Sequence, residues 1–430
     1  MNKKVLVVGA GATGVATANF LANLGVEVVL NDKNEISHKL PLNRKVKFID
    51  NGHDEKSFKE AELIVVSPGV NVKELKWTEG KDIVGDVEIF GWFDESKVVA
   101  ITGTNGKTTT TFLTGEILKR KYNVFVGGNI GTPVLMRFQP FEEYDFSVLE
   151  LSSFQLETID RFYADIAVIL NITPDHLNRY ENYKEYENAK LNLLKNQKKS
   201  QILILNKEIE SLKSMEFMGN VLFFGKDSVA DNNFIKINFK EKELSLDIQK
   251  IPLKGKHFYE DIYVAGLIGL MNGVDIEDIK DVVYNFRGLE HRMEFVTSVN
   301  GVDYFNDSKS TTVSSTCRGV ESFENQVVLI LGGVYKGETF KKLEKYRNVK
   351  KIICFGEASD IISEELKSHS PVVVENLEKA VEYASQIASK GDIVLFSPAC
   401  ASFDMFENYI ERGNTFKEYV KKILRGGNDR

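Results

Sequence analysis

The chain has 430 residues, of which 43% are hydrophobic and 27% are charged. This length is too great for a single core and this composition is typical of a folded globular protein, so we expect several domains and exclude a disordered or fibrous chain. The 62 acidic residues outnumber the 55 Lys and Arg residues, and the net charge of −7 argues against nucleic acid or a membrane surface as a partner. The three cysteines lack disulfide or metal-site spacing, and the apolar runs are too short for a signal sequence or a membrane span, so we expect a cytoplasmic protein.

The first 94 residues alternate short apolar runs with stretches of helical pattern. The runs lie at residues 5–8, 26–30 and 63–66. Short, wholly apolar runs are typical of parallel strands that are buried on both faces. We therefore predict an α/β domain of Rossmann-like fold over residues 1–94.

A glycine-rich turn follows the first of these predicted strands. It contains Gly9, Gly11 and Gly14, and the second strand ends at Asp32. This spacing is that of a dinucleotide-binding fingerprint, in which the acidic residue contacts a ribose. Alone, it leaves two hypotheses open: an NAD-dependent dehydrogenase, or a domain that binds a different diphosphate.

Residues 95–288 predict a second α/β domain with a mainly parallel sheet. Its apolar runs lie at residues 98–101, 146–149, 166–170 and 202–205. Alternating stretches between residues 234 and 248 predict a small hairpin. A helical pattern that includes Ile276 is expected to end at Gly288.

Residues 289–430 predict a third α/β domain, again Rossmann-like. It opens with a hairpin over residues 295–305, because the pair Asn300 and Gly301 favours a type I′ turn. Further strands are predicted at residues 327–331, 351–355 and 392–396. Two helical segments, one around Phe406 and one from Phe416, are expected to end the chain. The fold class is therefore α/β with three domains.

The strongest motif is a phosphate-binding loop after the strand at residues 98–101. Its residues are Gly103, Thr104, Asn105, Gly106, Lys107 and Thr108. Backbone N–H groups of such a loop and of the following helix N-terminus bind phosphates, while the lysine contacts the β- and γ-phosphates and the threonine holds Mg²⁺. The loop is shorter than the consensus, because Ile101 stands where the first glycine is expected. An ordinary glycine-rich turn is the alternative, which the flanking strand and helix disfavour.

Three further residues are candidates for the same site. Glu150 ends a predicted strand, so it either shares the Mg²⁺ with Thr108 or caps a helix. His176 follows another strand end and is either functional or structural. Lys190 lies beside the buried face of a predicted helix over residues 183–194, a position at which a lysine usually extends its amine to solvent.

Several segments of the chain together resemble the Mur ligase family, which is ATP-dependent and builds peptidoglycan precursors. They are residues 103–108, 127–131, 149–157, 175–180, 291–292, 306–309 and 397–404. The resemblance runs nearly end to end. Segments 149–157 and 397–404 resemble most the members that add D-glutamate to UDP-N-acetylmuramoyl-L-alanine (UDP-MurNAc-L-Ala).

The resemblance implies a role for each site residue. It implies that the UDP substrate is bound by Gly11, Ala12, Thr13, Asp32, Lys33 and Asn129. It implies that ATP is bound by the loop residues 103–108 with Thr109, Arg292, Asp307 and Lys309. It implies catalysis by Lys107, Glu150, His176 and Lys190, and two Mg²⁺ sites formed by Thr108, Glu150, His176 and Lys190, with Lys190 carbamoylated. It implies that D-glutamate is bound by Thr311, Lys336, Ser402 and Phe403, and that the active site is completed by domain closure.

The sequence departs from the family pattern at several positions. Phe258 and Asp261 replace residues expected near the adenine, Val334 replaces an acidic residue, and Asn34 follows Lys33 where some members have an arginine near the uracil. The prediction is a monomeric ligase that adds D-glutamate through an acyl phosphate. The alternatives are another Mur-type ligase, a folyl-polyglutamate synthase and an NAD-dependent dehydrogenase.

Overall fold

The computed structural model describes residues 4–36, 40–139, 142–175, 179–225, 230–231, 233–253, 257–323, 325–335 and 337–426. The chain forms two compact units, each built from α/β structure. Unit 1 comprises Met1–Leu246 with Glu260–Val282, and unit 2 comprises Asp247–Tyr259 with Val283–Arg430.

The described strands are β1 (Lys4–Val8), β2 (Glu27–Asn31), β3 (Lys47–Ile49), β4 (Leu63–Val66), β5 (Asp82–Gly85), β6 (Lys97–Thr102), β7 (Val124–Gly128), β8 (Phe146–Glu150), β9 (Ile166–Ile169), β10 (Ile202–Asn206), β11 (Asn220–Phe224), β12 (Phe234–Phe239), β13 (Lys242–Asp247), β14 (Glu294–Val299), β15 (Val302–Asn306), β16 (Val327–Gly332), β17 (Val349–Phe355), β18 (Val372–Val373) and β19 (Ile393–Phe396). The described α-helices are α1 (Ala12–Asn23), α2 (Glu55–Glu60), α3 (Asp86–Phe93), α4 (Lys107–Leu118), α5 (Ser153–Leu156), α6 (Tyr183–Leu191), α7 (His257–Met271), α8 (Ile276–Asn285), α9 (Val313–Glu321), α10 (Ser359–Glu365), α11 (Leu377–Ile387) and α12 (Tyr409–Gly426).

The first sheet of unit 1 is parallel, with strand order β3-β2-β1-β4-β5. Its central strand β1 is buried on both faces: Val5 and Val7 pack into one core, and Leu6 and Val8 pack into another. This alternation is why the strand reads as a continuous apolar run. The edge strands β3 and β5 were not predicted, because they are short and only partly apolar.

The second sheet of unit 1 is also parallel, with strand order β11-β10-β9-β6-β8-β7. Strand β6 lies between β8 and β9, and its Ile101 pairs in register with Glu150 of β8. The carboxyl ends of these three strands therefore meet at one edge of the sheet. The predicted hairpin is present as the two-stranded sheet β12-β13.

Unit 2 contains a six-stranded sheet with the order β14-β15-β19-β16-β17-β18. Strand β14 is antiparallel to β15, and the other neighbours are parallel. The turn between β14 and β15 has positive φ angles at Asn300 (54°) and Gly301 (78°), as a type I′ turn requires. The predicted hairpin is confirmed.

Two predicted helix boundaries were wrong and one was confirmed. Helix α8 ends at Asn285 rather than at Gly288. The helical stretch predicted over residues 183–194 is present as α6 and the 3-10 turn Asn192–Leu194 that continues it. Phe406 lies outside a helix in a turn closed on the carbonyl of Ser402, and α12 is one continuous helix. No helix among the described residues is both long and apolar enough to cross a membrane.

A buried carboxylate fixes α3 within unit 1. The side chain of Glu88 accepts hydrogen bonds from the backbone N–H groups of Asp160, Arg161 and Phe162 and from the indole N–H of Trp92. Burial opposes its ionisation, but these donors together hold the pKa of Glu88 below its usual value. Glu88 therefore connects α3 to the segment after α5.

We predict that Glu88→Gln lowers the free energy of unfolding at neutral pH by about 1–3 kcal/mol, because the new amide presents an N–H₂ group to backbone donors. The difference from the wild type should shrink as the pH falls through the lowered pKa of Glu88, because the wild-type carboxylate is then protonated as well. Urea unfolding monitored by circular dichroism measures this difference in the free energy of unfolding. Glu95→Gln, at an exposed position on the following segment, is the matched control and should change stability by less than about 0.5 kcal/mol. Equal stability of the two variants would contradict the assignment.

Candidate active site

The phosphate loop connects β6 to α4. Gly103 and Gly106 have φ angles of 159° and 82°, and Gly106 is the residue that precedes the first turn of α4. The end of β9 anchors the loop, since the N–H of Thr104 donates to the carbonyl of Asn171 (2.9 Å) and the N–H of Asn105 donates to its side chain (2.8 Å). The loop therefore presents the N-terminus of α4, whose first N–H groups have no partner within the helix, as an anion site.

Two lysines converge on this loop. The Nζ atoms of Lys107 and Lys190 each donate to the carbonyl of Gly103 at 2.8 Å, and Lys107 also donates to the carbonyl of Thr104 at 2.8 Å. The Lys190 side chain lies over the ring of Tyr186 and is only 2% exposed. The expectation of a lysine that extends to solvent was therefore wrong, because Lys190 belongs to the buried face of α6.

Burial changes the charge of Lys190. Burial and, secondly, the nearby Lys107 ammonium lower the pKa of Lys190 to about 6, against the opposing effects of Asp175 and Glu150. At neutral pH its amine is therefore mainly uncharged and nucleophilic.

Glu150 joins β8 to the loop. Its Oε2 accepts from the hydroxyl of Thr108 at 2.7 Å, and its Oε1 accepts from the side-chain amide of Asn129 at 2.8 Å. The alternative that Glu150 caps a helix was wrong, because Ser152 caps α5. The structure thus brings together Thr108, Glu150 and Asn129, which lie far apart in the sequence.

The donor set at this edge fits Mg²⁺ in its chemistry. The hydroxyl of Thr108 and the carboxylate of Glu150 are hard oxygen ligands. The neutral amine of Lys190, on α6, donates to a carbonyl of the adjoining phosphate loop. His176 lies outside the described residues. Among the residues that are described, no group of three or more His, Cys, Asp or Glu side chains is arranged to hold a metal ion.

The glycine-rich turn after β1 is closed by Asp32. Asp32 accepts from the backbone N–H groups of Ala10 (2.7 Å) and Asn34 (2.9 Å). A β-carbon at Gly14 would lie 1.8 Å from the carbonyl oxygen of Gly9, so α1 can approach the turn only with glycine there. The turn leaves Gly11 and Ala12 exposed at the start of α1.

Several of the predicted residues of unit 2 follow the carboxyl ends of β15 and β19. Asp307 is buried and accepts from the Ser397 hydroxyl (2.7 Å) and the Met293 N–H (3.2 Å). Burial raises the pKa of Asp307 to about 6, although Ser310, Ser397, Met293 and the Arg292 charge act in the opposite direction.

The other predicted residues of unit 2 differ in exposure. The Lys309 N–H donates to the carbonyl of His291, and its Nζ lies over the ring of Tyr409. Ser402 is buried, whereas Phe403 is 74% exposed and Thr311 is half-buried. Lys336 lies outside the described residues.

Arg412 was missed by sequence reasoning. This fully buried side chain on α12 donates to the carbonyls of Ser308 (2.9 Å), Cys400 (3.1 Å) and Ala401 (3.1 Å). It therefore ties the loop after β15 to the loop after β19. Its position in an amphipathic helix was the available signal, but the pattern does not distinguish a buried arginine from an exposed one.

Comparison with known protein families classifies the chain. Three family models match it: the Mur ligase MurD-like N-terminal domain at residues 3–85, the Mur ligase middle domain at residues 101–273, and the Mur ligase glutamate ligase domain at residues 291–400. The chain belongs to the Mur ligase family. It is therefore a ligase, and the predicted enzyme class and three-domain α/β architecture are confirmed.

Curated relatives of this Mur ligase match over nearly the whole chain. UDP-N-acetylmuramoylalanine--D-glutamate ligase of Koribacter versatilis (strain Ellin345) is 40% identical, with 98% of each chain covered. The protein of the same name from Citrifermentans bemidjiense is 39% identical, with 99% of each chain covered.

Solved structures of the family share the fold at lower identity. UDP-N-acetylmuramate-alanine ligase MurC of Thermotoga maritima has a TM-score of 0.55 and 18% identity, covering 98% of this chain and 100% of that one. MurF ligase of Thermotoga maritima, solved in complex with ADP, has a TM-score of 0.55 and 20% identity, covering 86% of this chain and 91% of that one.

For Arg412, we predict that Arg412→Met lowers the free energy of unfolding of the C-terminal unit by at least about 2 kcal/mol, because buried carbonyl groups lose their donor. Lys422→Met on the same helix is the matched control. Lys422 forms an exposed ion pair with Glu378, so its loss should cost at most about 1 kcal/mol. Denaturant unfolding of the full chain, followed by hydrogen exchange of residues 400–401, distinguishes the two. Unchanged exchange at these residues in Arg412→Met would contradict the prediction.

Proposed function

We propose that this ligase forms the amide bond between the L-alanyl carboxylate of UDP-MurNAc-L-Ala and the amino group of D-glutamate, with ATP as the energy source. The observation that carries the proposal is the phosphate loop with Thr108, Glu150 and Lys190 gathered at one sheet edge. The names of the full-length relatives support the choice of substrates. We place the reaction in the cytoplasm and propose that the chain acts as a monomer.

The loop and its neighbours support ATP as the nucleotide. The start of α4 carries the partial positive charge of a helix N-terminus, which favours phosphate oxygens, and the Lys107 ammonium lies on the carbonyls of the same loop. We propose that residues 103–109 bind ATP, together with Arg292, Asp307 and Lys309 of unit 2. The similar MurF ligase of Thermotoga maritima was solved in complex with ADP.

We propose that Thr108, Glu150, His176 and Lys190 hold two Mg²⁺ ions. When bound, Mg²⁺ neutralises phosphate oxygens that would otherwise repel an attacking carboxylate. Thr108 and Glu150 supply the oxygen ligands and already face each other at 2.7 Å. A carbamate on Lys190 would replace a cation by an anionic oxygen ligand.

The proposed reaction has two steps. An oxygen of the L-alanyl carboxylate attacks the γ-phosphorus, the bond to the β,γ-bridging oxygen breaks, and ADP leaves. The amine of D-glutamate then attacks the acyl carbon, loses a proton, and expels phosphate. The protein lowers the barrier by holding the reactants in line and by placing positive charge near the phosphates.

The first and third proposed domains, together with Asn129 of the second, supply the other proposed subsites. We propose that UDP-MurNAc-L-Ala is bound by Gly11, Ala12, Thr13, Asp32, Lys33 and Asn129. The open turn at the start of α1 and the contact of Asn129 with Glu150 support this assignment. We propose that D-glutamate is bound by Thr311, Lys336, Ser402 and Phe403, and that the three domains span residues 1–94, 95–288 and 289–430.

We predict that phosphate release with ATP, Mg²⁺ and UDP-MurNAc-L-Ala requires D-glutamate and is absent with L-glutamate, L-lysine or meso-diaminopimelate. A phosphate-release assay measures it. Lys107→Ala should lower the rate by about 10²- to 10³-fold, because the lysine neutralises charge that develops on the transferred phosphoryl group. Lys119→Ala, exposed at the end of α4, is the matched control and should keep the wild-type rate.

The outcomes separate the alternatives. Activity with another amino acid would identify a different Mur-type ligase, and activity with a folate would identify a folyl-polyglutamate synthase. A normal rate in Lys107→Ala would contradict the role of the loop.

We predict that Lys190 becomes carbamoylated. Its amine, with a pKa of about 6, is mainly neutral above that pH and can attack CO₂, so carbamate should form at neutral pH and be lost as the pH falls below about 6. Carbon-13 NMR with labelled bicarbonate detects the carbamate directly. Lys190→Ala should lose the signal and the activity, and a short carboxylic acid should restore part of the activity.

Lys184→Ala, exposed on the same helix, is the matched control and should keep both the signal and the activity. Full activity in Lys190→Ala would show that the lysine is only structural. A carbamate signal that persists in Lys190→Ala would assign the modification to another lysine.

A further inference from the structure

A buried carboxyl group lies against the phosphate loop. Asp261, on α7, is only 4% exposed. A β-carbon added at Gly106 would lie 2.2 Å from its Oδ1 atom, so the loop and this carboxyl are packed together as closely as a glycine allows. An isolated buried carboxylate is strongly disfavoured. Whether Asp261 is charged or neutral therefore determines which hydrogen bonds it can form at the loop.

The hydrogen bonds around Asp261 are best completed by an acid proton. The Thr110 hydroxyl oxygen lies 3.0 Å from Oδ1 of Asp261 and 3.0 Å from the carbonyl oxygen of Gly106. Since a hydroxyl has one hydrogen and the carbonyl can only accept, a carboxylate would leave one of these two contacts without a hydrogen. A protonated Asp261 donates to Thr110, which then donates to Gly106.

The surroundings of Asp261 shift its pKa in both directions, and the upward shift is the larger one. Burial has the largest effect and raises the pKa of Asp261 well above its usual range. The hydrogen bond with Thr110 and the Lys107 charge lower this pKa, and the adjacent Glu260 raises it further. The Lys107 ammonium donates to the carbonyls of Gly103 and Thr104. Phosphates bound by the loop would add negative charge and favour the neutral acid still more.

We propose that Asp261 is a positioning residue that acts as a neutral acid, whose proton completes the chain Asp261–Thr110–Gly106 and fixes the start of α4 for nucleotide phosphates. Ionisation of Asp261 breaks this chain and places a negative charge beside the phosphate site. Nucleotide affinity therefore falls as the pH rises through the titration of Asp261. This inference rests on the proposed binding of ATP by the loop.

Nucleotide binding to the full chain tests the proposal without turnover. The dissociation constant of a fluorescent ADP analogue is measured for the wild type and for Asp261→Asn, whose amide donates at any pH, from about pH 6 to about pH 9. The ratio of the wild-type constant to that of the variant should rise with pH, by up to about tenfold per pH unit. This ratio cancels the titration of the nucleotide and of groups common to both proteins. A ratio that falls as the pH rises, or a constant ratio in a protein that lacks the infrared band of a protonated carboxyl group, would overturn the proposal.

Glu260→Gln tests the direction in which a neighbouring charge shifts the pKa of Asp261. It removes the neighbouring charge that raises the pKa of Asp261, so the loss of affinity should begin at a lower pH than in the wild type. A loss that begins at the same or a higher pH would contradict the assignment of the titration to Asp261.

Infrared difference spectroscopy tests the protonation state independently of the nucleotide. The spectrum of the wild type minus that of Asp261→Asn at neutral pH should contain the carbonyl stretch of a protonated carboxyl group. Asp82→Asn, at an exposed position, should show only carboxylate bands. Absence of the protonated band would overturn the neutral acid. If the band is present and the ADP analogue does not bind, the proposed ATP site fails while the state of Asp261 stands.

Discussion

The backbone carbonyl of Gly103 accepts hydrogen bonds from two lysines, and the charge state of the site follows from this arrangement. Lys107 and Lys190 both reach this oxygen at 2.8 Å. Burial favours the neutral amine of Lys190 most strongly, and repulsion by the Lys107 ammonium at the same acceptor adds to this effect. In the proposed function, Lys107 supplies positive charge for phosphate and the neutral amine of Lys190 is the group that is modified.

The sheet explains how distant residues reach this carbonyl. Strands β6, β8 and β9 are adjacent and parallel, so their carboxyl ends deliver the loop, Glu150 and Asn171 to the same edge. Helix α7 adds Asp261, which packs against Gly106. The loop is thus held by hydrogen bonds to Asn171, by the two lysines on the carbonyl of Gly103 and by the packing of Asp261 against Gly106. In unit 2, Arg412 has a comparable role for the loops after β15 and β19.

Much of the fold could be predicted from local sequence. The central strands β1, β4, β6 and β16 are apolar over most of their length because both faces of a parallel sheet are covered. The Asn300-Gly301 turn has a dipeptide preference of its own. Edge strands such as β3 and β18 were missed because their burial depends on one neighbour only. Helix ends were misplaced by a few residues, since the apolar pattern continues past the last helical hydrogen bond.

The sequence by itself determined the α/β class, the phosphate loop with its Lys107 and Thr108, and the resemblance to the Mur ligases, because these depend on residue type and local spacing. Only the tertiary structure decided the environment of Lys190, Asp261 and Arg412. Each carries a group whose charge or hydrogen bonds depend on burial by residues remote in the chain. Desolvation is a property of the packed surroundings, and a one-dimensional pattern places such a side chain on a helix without specifying what covers it.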